Sequence, residues 1–178
     1  MSTHELRSEA PSARAWLGPI VDPDWLSTCA DDIQTVYAYW KAKAGKRRMP
    51  ARADIDPVDL VPYLPSIMLV DVHAASTADS SLAHYVYRLV GTREVEMRGS
   101  DPTGKPVATH CYGGMRDLAL QNYDSVVRSR APVLDRNDDD VQIHDRYEDL
   151  HCVFLPLSSD GENVDMVLVY SVQRPVTC

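Results

Sequence analysis

The chain contains three groups of residues whose types and spacing could support chemistry. The first runs from Gly99 to Lys105 and has the spacing of a phosphate-binding loop, in which a glycine is followed after four residues by Gly-Lys. Pro106 comes next, where such a loop needs the Ser or Thr hydroxyl that reaches magnesium. Pro102 also removes one of the backbone N–H groups that the loop directs at phosphate. The stretch is therefore predicted to be a structural turn and not a nucleotide site.

Histidine and cysteine form the second group, because both residue types can bind metal ions or haem iron. The adjacent His/Cys pairs are His110-Cys111 and His151-Cys152. Neighbouring residues in a strand point to opposite faces, so His151 and Cys152 cannot easily serve one site. A lone histidine is usually a surface or hydrogen-bonded residue, and we do not expect haem ligation by His110. The four cysteines include no Cys-x-x-Cys pair, so reduced thiols are expected and no metal site.

The third group consists of the carboxylates in Asp54-Ile55-Asp56, which could suggest acid/base catalysis or a metal site. Helix capping, together with a pairing to Arg52, explains them more simply. Asp56-Pro57 is a typical helix start, since Asp caps the helix and proline fits the first helical position. No Gly-x-Ser-x-Gly elbow or other nucleophile signature occurs in the sequence. These patterns predict no catalytic residues, and we expect that the protein is not an enzyme.

The N-terminal part is predicted to be helical after a flexible arm at residues 1–21, which are rich in Ser, Ala and charge. Asp22-Pro23 predicts a helix start and Gly45 supplies a left-handed stop, which together give a helix over roughly 24–44. An apolar stripe at helical spacing is formed by Ile33, Val36, Tyr37 and Trp40. We assign residues 22–65 to an N-terminal helical extension.

Strand-like runs occur in two blocks, two before a helical stretch and three after it. The expected strands are residues 66–73, 84–91, 132–141, 149–158 and 164–173, with short helices between 93 and 131. In the second run, alternation predicts that Tyr85, Tyr87 and Leu89 face the core. This order indicates an α+β fold with a five-stranded antiparallel sheet.

Length, charge and composition restrict the class of protein. A chain of 178 residues with 44% hydrophobic residues fits one globular domain with extensions. The net charge of -8 argues against a nucleic-acid partner, because phosphate binding needs clustered Lys and Arg. No apolar run is long enough to cross a membrane, and residues 1–14 lack the apolar middle of a signal peptide. We therefore expect a cytoplasmic protein without membrane insertion.

A series of landmarks between about residues 30 and 174 resembles a bacterial family of single-domain PAS-like proteins. The landmarks are Tyr39-Trp40, Pro50 with Arg52, Asp54-Ile55-Asp56-Pro57, Leu64-Pro65, Arg88-Leu89-Val90-Gly91-Thr92, Thr103-Gly104, and Leu155-Pro156-Leu157 before Asp160-Gly161. The resemblance implies a five-stranded antiparallel PAS-type sheet with helices on one face, a cavity between them, and an added N-terminal helix. It implies that residues 66–178 are a PAS-like sensor domain with a role in bacterial signalling, and it supplies no catalytic residues.

Two interpretations of the function stay open. In the first, the domain binds a small molecule, such as a metabolite, in an internal pocket and relays the signal through protein–protein contacts. In the second, it is a ligand-free dimerisation or interaction module. The candidate pocket residues, all of which could equally be plain core, are Tyr87, Leu89, Met97, His110, Tyr112, Met115, Tyr123 and Phe154. A homodimer or a signalling protein is the expected partner, and the sequence identifies no cofactor.

Overall fold

An antiparallel sheet organises the computed structural model, which describes residues 23–73, 84–111, 116–136, 142–144 and 147–175. The strands are β1 Ile67–Val72, β2 Tyr85–Val90, β3 Val133–Arg136, β4 Gln142–His144, β5 Tyr147–Leu157 and β6 Met166–Pro175. Their order is β2-β1-β6-β5-β3, and β4 also pairs with β5. β3 and β4 follow one another along one edge of β5, because β6 occupies its other edge. The predicted five-stranded antiparallel sheet is confirmed, with one outer position shared by two strands.

Helices of two kinds accompany the sheet. The α-helices are α1 Asp31–Ala44, α2 Thr92–Arg98, α3 Val107–His110 and α4 Arg116–Ser129. Short 3₁₀ helices lie N-terminal to the sheet at Pro23–Thr28, Arg52–Asp54, Pro57–Leu60 and Leu64–Ser66. The arm predicted at residues 1–21 lies outside the described residues, and the predicted division at residue 65 stays a prediction.

The single helix predicted over 24–44 is wrong, because the chain breaks at Ala30. This residue has extended backbone angles (φ -57°, ψ 145°), and it separates the first 3₁₀ helix from α1. Asp31 and Asp32 occupy the first turn of α1, where the helix dipole favours negative charge. The predicted stop is confirmed, since Gly45 has a positive φ of 58° and its N–H donates to the carbonyl oxygen of Lys41 at 3.2 Å.

The inward face of α1 is the apolar stripe that the sequence predicts. Ile33, Val36 and Trp40 are buried, and Tyr37 is partly buried against the same core. The helix packs on β5 and β6, and Nε1 of Trp40 donates to the carbonyl oxygen of Pro156 in β5 at 2.9 Å. The stripe is therefore packed against the sheet of its own domain.

The two faces of the sheet carry different helices. Tyr170 and Ser171 are neighbours in β6 and so point to opposite faces. The hydroxyl of Tyr170 lies 3.3 Å from Oδ2 of Asp32 in α1. The hydroxyl of Ser171 bonds to Glu94 in α2. One face is thus covered by α1 and the other by α2, so that any site under α2 is separated from α1 by the sheet.

Strand β2 departs from the predicted alternation at Leu89. Tyr87 is buried as predicted, but 43% of the surface of Leu89 is exposed. Leu89 pairs with Leu69, whereas Tyr87 pairs with Val70, so Arg88 is an extra residue that forms a β-bulge. A bulge interrupts the two-residue period of side-chain direction. The prediction that Leu89 faces the core is therefore wrong.

The stretch from Gly99 to Lys105 forms a turn beside β2. Gly99 ends α2 in the left-handed conformation with a φ of 71°. The N–H of Gly104 donates to the carbonyl oxygen of Tyr87 at 2.7 Å, and the N–H of Tyr87 donates to the carbonyl oxygen of Lys105 at 3.1 Å. The backbone of this turn therefore bonds to a strand edge, in agreement with the structural role predicted for it.

Asp54 and Asp56 contribute to short helices as the sequence predicts, but the predicted ion-pair partner is wrong. Oδ2 of Asp54 lies 2.8 Å from the guanidinium of Arg47. Arg52 instead donates to the carbonyl oxygen of Ile55 at 3.0 Å. Residues two positions apart in a helical turn do not face each other, which is why Arg52 does not reach Asp54.

Asp56→Ala is expected to lower the free energy of unfolding by about 1 kcal/mol, because it removes an N-terminal helix cap. Oδ1 of Asp56 accepts a hydrogen bond from the N–H of Val58 at 2.9 Å. Asp56→Asn keeps an acceptor at this position and should stay close to the wild type. Denaturant unfolding of both variants measures the difference, and equal losses would show that the charge, not the cap, stabilises this turn.

Candidate functional site

A buried ion pair lies between α2 and the sheet. Nη2 of Arg98 is 3.4 Å from Oε2 of Glu94, one turn earlier in the helix. The side chain of Glu94 is 1% exposed and that of Arg98 is 11% exposed. Charged side chains are almost never buried to this extent without a partner, because they lose their hydration. The pair therefore makes this part of the interior chemically different from the surrounding apolar core.

Two glycines fix the position of α2. A Cβ atom at Gly91 would lie 2.4 Å from the carbonyl oxygens of Leu64 and Pro65, so only glycine fits at the start of the helix. Gly99 ends the helix by adopting the left-handed conformation. Glu94 and Arg98 are four residues apart in this helix, and the helical period therefore places both side chains on one side of α2. The short helix is thus held close to β1 and turns both charges toward the sheet.

The sheet holds the carboxylate of the pair. Ser171 is 2% exposed, and its hydroxyl donates to Oε1 of Glu94. Ser171 pairs with Cys152 in β5, so these two side chains lie on the same face of the sheet. Phe154, two residues after Cys152 in the same strand, also lies on that face. Both oxygens of Glu94 therefore have partners, one on the sheet and one on the same helix.

The guanidinium of Arg98 has contacts at the outer limit of hydrogen-bonding distance. Nη1 lies 3.4 Å from the hydroxyl of Tyr87 and 3.5 Å from the carbonyl oxygen of His110. Nη2 lies 3.5 Å from Sδ of Met68. The guanidinium carbon is 5.4 Å from the centre of the Tyr87 ring, within the range of a cation–π interaction. The buried Nε atom has no acceptor among the described residues.

Aromatic side chains continue the site toward α4. The ring of Tyr123 stacks on Tyr85 at a centroid distance of 5.0 Å and meets Phe154 edge-on at 5.1 Å. Burial raises the pKa of Tyr123, and it likewise raises the pKa of Tyr87. Both phenols are therefore neutral near pH 7 and suit hydrogen bonding and packing, not proton abstraction.

In the part of the chain that the structure describes, no three His, Cys, Asp or Glu side chains come together in a group that could hold a metal ion. None of the helices described here is long and apolar enough to cross a membrane.

A family model for the PAS domain matches residues 30–170. The chain belongs to the PAS domain family. It is accordingly a sensory domain of the kind used in signalling, and PAS domains are generally sensory and not catalytic. Such domains often mediate dimerisation or contacts with signalling partners.

Individual proteins were compared with this chain by sequence and by structure. None of the curated proteins compared with this PAS domain matches it. Among solved structures it is similar to a sensory box sensor histidine kinase from Vibrio cholerae, with 13% sequence identity and a TM-score of 0.46. That similarity covers 68% of this chain and 90% of the other chain.

The sequence-predicted pocket residues of the PAS domain do not all lie together. Tyr87, Met97, Tyr123 and Phe154 are buried, and Tyr87, Tyr123 and Phe154 lie beside the Arg98 contacts or in the aromatic cluster. Leu89 is exposed after the bulge in β2.

The remaining predicted pocket residues are placed less favourably or not at all. His110 is exposed at the end of α3, its ring Nδ1 lies 2.8 Å from the hydroxyl of Thr109, and it approaches Arg98 through its carbonyl oxygen. Tyr112 and Met115 lie outside the described residues. No side-chain role for these two residues is therefore assigned.

The three polar residues at the centre of the site, Glu94, Arg98 and Ser171, were not predicted from the sequence. Glu94 and Arg98 belong to a stretch that its charge made look like a surface helix, and Ser171 lies within an ordinary strand. A signal was present, because Glu94 is three residues before Met97 and both lie on one side of a helix. A helix that turns Met97 inward must also turn Glu94 inward.

Proposed function

We propose that this PAS domain is a bacterial cytoplasmic sensor that binds a small molecule between the inner sheet face and helices α2–α4. The observation that carries the proposal is the buried pair of Glu94 and Arg98 beside the aromatic cluster. Ligand sites in proteins combine a mainly apolar lining with a few placed polar groups that orient the ligand. The proposed site has this composition, and it lies on the sheet face opposite α1.

The energetics of buried charge support a binding role for the pair. Buried ion pairs are weak contributors to stability, because the loss of hydration offsets most of their attraction. Apolar residues of similar volume often stabilise a core at least as well. The presence of a complete charge pair in the core of this small domain is therefore better accounted for by recognition than by folding.

The proposal includes a route by which binding reaches a partner protein. Gly91 directly precedes α2, and a Cβ atom at this position would lie 2.4 Å from the carbonyl oxygens of Leu64 and Pro65. A ligand that draws Arg98 toward itself would shift α2 and, through this close contact, the segment that precedes β1. We propose that a second copy or a signalling protein senses this shift at the N-terminal extension.

One observation favours the alternative of a ligand-free interaction module. Val58 is 74% exposed and Val61 is 58% exposed, and both belong to the segment that follows Asp56. Large apolar side chains near one another on a surface are typical of interaction sites. In this alternative, the domain dimerises through this surface, and its interior is a hydrophobic core without a ligand.

Native mass spectrometry of the purified protein distinguishes the two functions. We expect a bound small molecule that is released on denaturation, together with its absorbance spectrum if it has a chromophore. Met97→Trp should abolish the bound mass, because Met97 is 3% exposed and added volume overpacks the interior. Leu89→Trp is the matched control, since that side chain is already 43% exposed and the bound mass should persist. An empty wild-type dimer would reject the sensor and support the interaction module.

A further inference from the structure

We propose that the ligand is an uncharged molecule that places a hydrogen-bond acceptor, of the carbonyl type, against Nε of Arg98. This inference rests on the proposed sensor function and specifies its ligand class. Three features of the site lead to it: an unused donor, a charge that is already balanced, and an apolar surround.

The donor is Nε of Arg98, which is buried without an acceptor among the residues that the structure describes. Buried polar atoms in folded proteins nearly always have a hydrogen-bond partner, so an exception calls for a specific explanation. The other guanidinium nitrogens also have room for a better partner, because their contacts lie at 3.4–3.5 Å. Good N–H···O bonds are about 2.7–3.2 Å long. The guanidinium therefore offers one unfilled direction and several weakly filled ones.

The charge of Arg98 is already balanced inside the site. Burial by itself lowers the pKa of Arg98, but the neighbouring Tyr87 and Glu94 hold that pKa above its ordinary value, so the guanidinium is charged. Glu94 supplies the compensating carboxylate at 3.4 Å and is itself held by Ser171. A carboxylate ligand would bring a second negative charge next to Glu94 in a poorly hydrated interior, where like charges repel strongly. A neutral acceptor satisfies Nε without that repulsion.

The side chains around the Arg98 guanidinium favour a ligand that is mostly apolar. The face of Tyr87 and the thioether of Met68 lie directly against the guanidinium. Tyr123 and Phe154 extend this surface toward α4, and Met97 is buried on α2. Aromatic and thioether groups pack well against flat or aliphatic molecules. The predicted ligand class is therefore an apolar molecule with one neutral carbonyl or similar oxygen.

Three probes of nearly equal size test this inference on the full chain. Acetophenone has a neutral carbonyl, ethylbenzene has no acceptor, and benzoate has a carboxylate. We expect acetophenone to bind roughly tenfold more tightly than ethylbenzene, since a hydrogen bond to a charged donor adds about one factor of ten or more in affinity. Benzoate should bind more weakly than acetophenone. Titrations followed by protein NMR measure all three affinities.

The wild-type protein also gives a direct readout at the donor. The Nε–H resonance of Arg98, assigned through its own side chain, should shift when acetophenone is added and stay in place with ethylbenzene. A resonance that ignores acetophenone, or that exchanges with water equally in every sample, would overturn the inference. This readout does not depend on whether any variant folds.

A variant removes the donor while keeping the interior uncharged. In Glu94→Gln/Arg98→Met the preference should be lost, so that acetophenone and ethylbenzene bind with about the same affinity. Arg128→Met is the matched control, because the Arg128 side chain is 79% exposed on α4 and its removal should leave the preference intact. If the double variant is not folded, the Nε–H readout of the wild type decides the question.

Failure of this inference and failure of the sensor proposal give different results. Ethylbenzene binding as tightly as acetophenone, or benzoate binding most tightly, overturns the uncharged-acceptor ligand while a bound mass in native spectra keeps the sensor. No binding of any probe also overturns the inference for this ligand class. The sensor proposal itself is contradicted only if native mass spectrometry of the wild-type protein shows no bound small molecule.

Discussion

Trp40→Ala is expected to lower the free energy of unfolding by about 3–5 kcal/mol, the range for truncating a buried tryptophan. Trp40 is 2% exposed, and its indole packs in the same core as Ile33 and Val36 of α1. Its Nε1 donates at 2.9 Å to the carbonyl oxygen of Pro156, which lies 116 residues away in the sequence. The substitution leaves a cavity between α1 and the sheet and an unpaired carbonyl on β5. Denaturant unfolding followed by circular dichroism measures the loss.

Two further variants separate packing from the hydrogen bond. Trp40→Phe keeps most of the buried ring but removes the donor, and it should cost about 1–3 kcal/mol through the unsatisfied carbonyl and the smaller volume. Lys41→Ala is the control, because Lys41 is exposed on the same helix. A Trp40→Ala protein that keeps full stability but changes from dimer to monomer on a sizing column would contradict the assignment of Trp40 to the core of its own domain.

Glu94→Gln is expected to cost a similar amount, about 3–5 kcal/mol, because it leaves the buried charge of Arg98 without compensation. The two side chains are 1% and 11% exposed, so water cannot replace the lost partner fully. The amide has nearly the volume of the carboxylate, and therefore the loss reports on charge and not on a cavity. Thermal and denaturant unfolding at neutral pH both measure it.

The double variant Glu94→Leu/Arg98→Met tests why the pair is present. Replacement of both charges by apolar residues of similar size is expected to be nearly neutral or to stabilise the domain by about 1–4 kcal/mol, since the cost of burying the charges disappears. A stable double variant that has lost the copurifying molecule would show that the pair serves recognition. A double variant as unstable as Glu94→Gln would show instead that the pair is a structural requirement.

Local chemistry in the sequence was sufficient for much of the fold. The strands could be predicted because short apolar or alternating runs between turn residues are typical of strands. Gly45 and Asp56 could be assigned because helix ends need specific backbone and side-chain chemistry. The apolar stripe of α1 followed from helical spacing in the same way. The family landmarks include Gly91, whose necessity the structure explains by the two carbonyl oxygens 2.4 Å from the position of its missing Cβ.

Some structural features could not be predicted from local sequence patterns. The bulge at Arg88 follows from the register of β2 against β1, and it places Leu89 outside the core although the local alternation is regular. The chain breaks at Ala30 although the sequence pattern on both sides is helical. Hydrophobic periodicity therefore does not predict this break. For the bulge, the deciding interaction is the pairing of β2 with β1 and not the local pattern.

The candidate site shows the same division most clearly. Sequence patterns were enough to predict the architecture and to propose Tyr87, Met97, Tyr123 and Phe154 as interior residues, all four of which are buried. Only the tertiary structure brought Glu94 and Arg98 under the sheet, where Ser171 bonds the carboxylate. The reason is that charged residues in a short helix look like a solvated face until the fold determines which side of that helix meets the sheet.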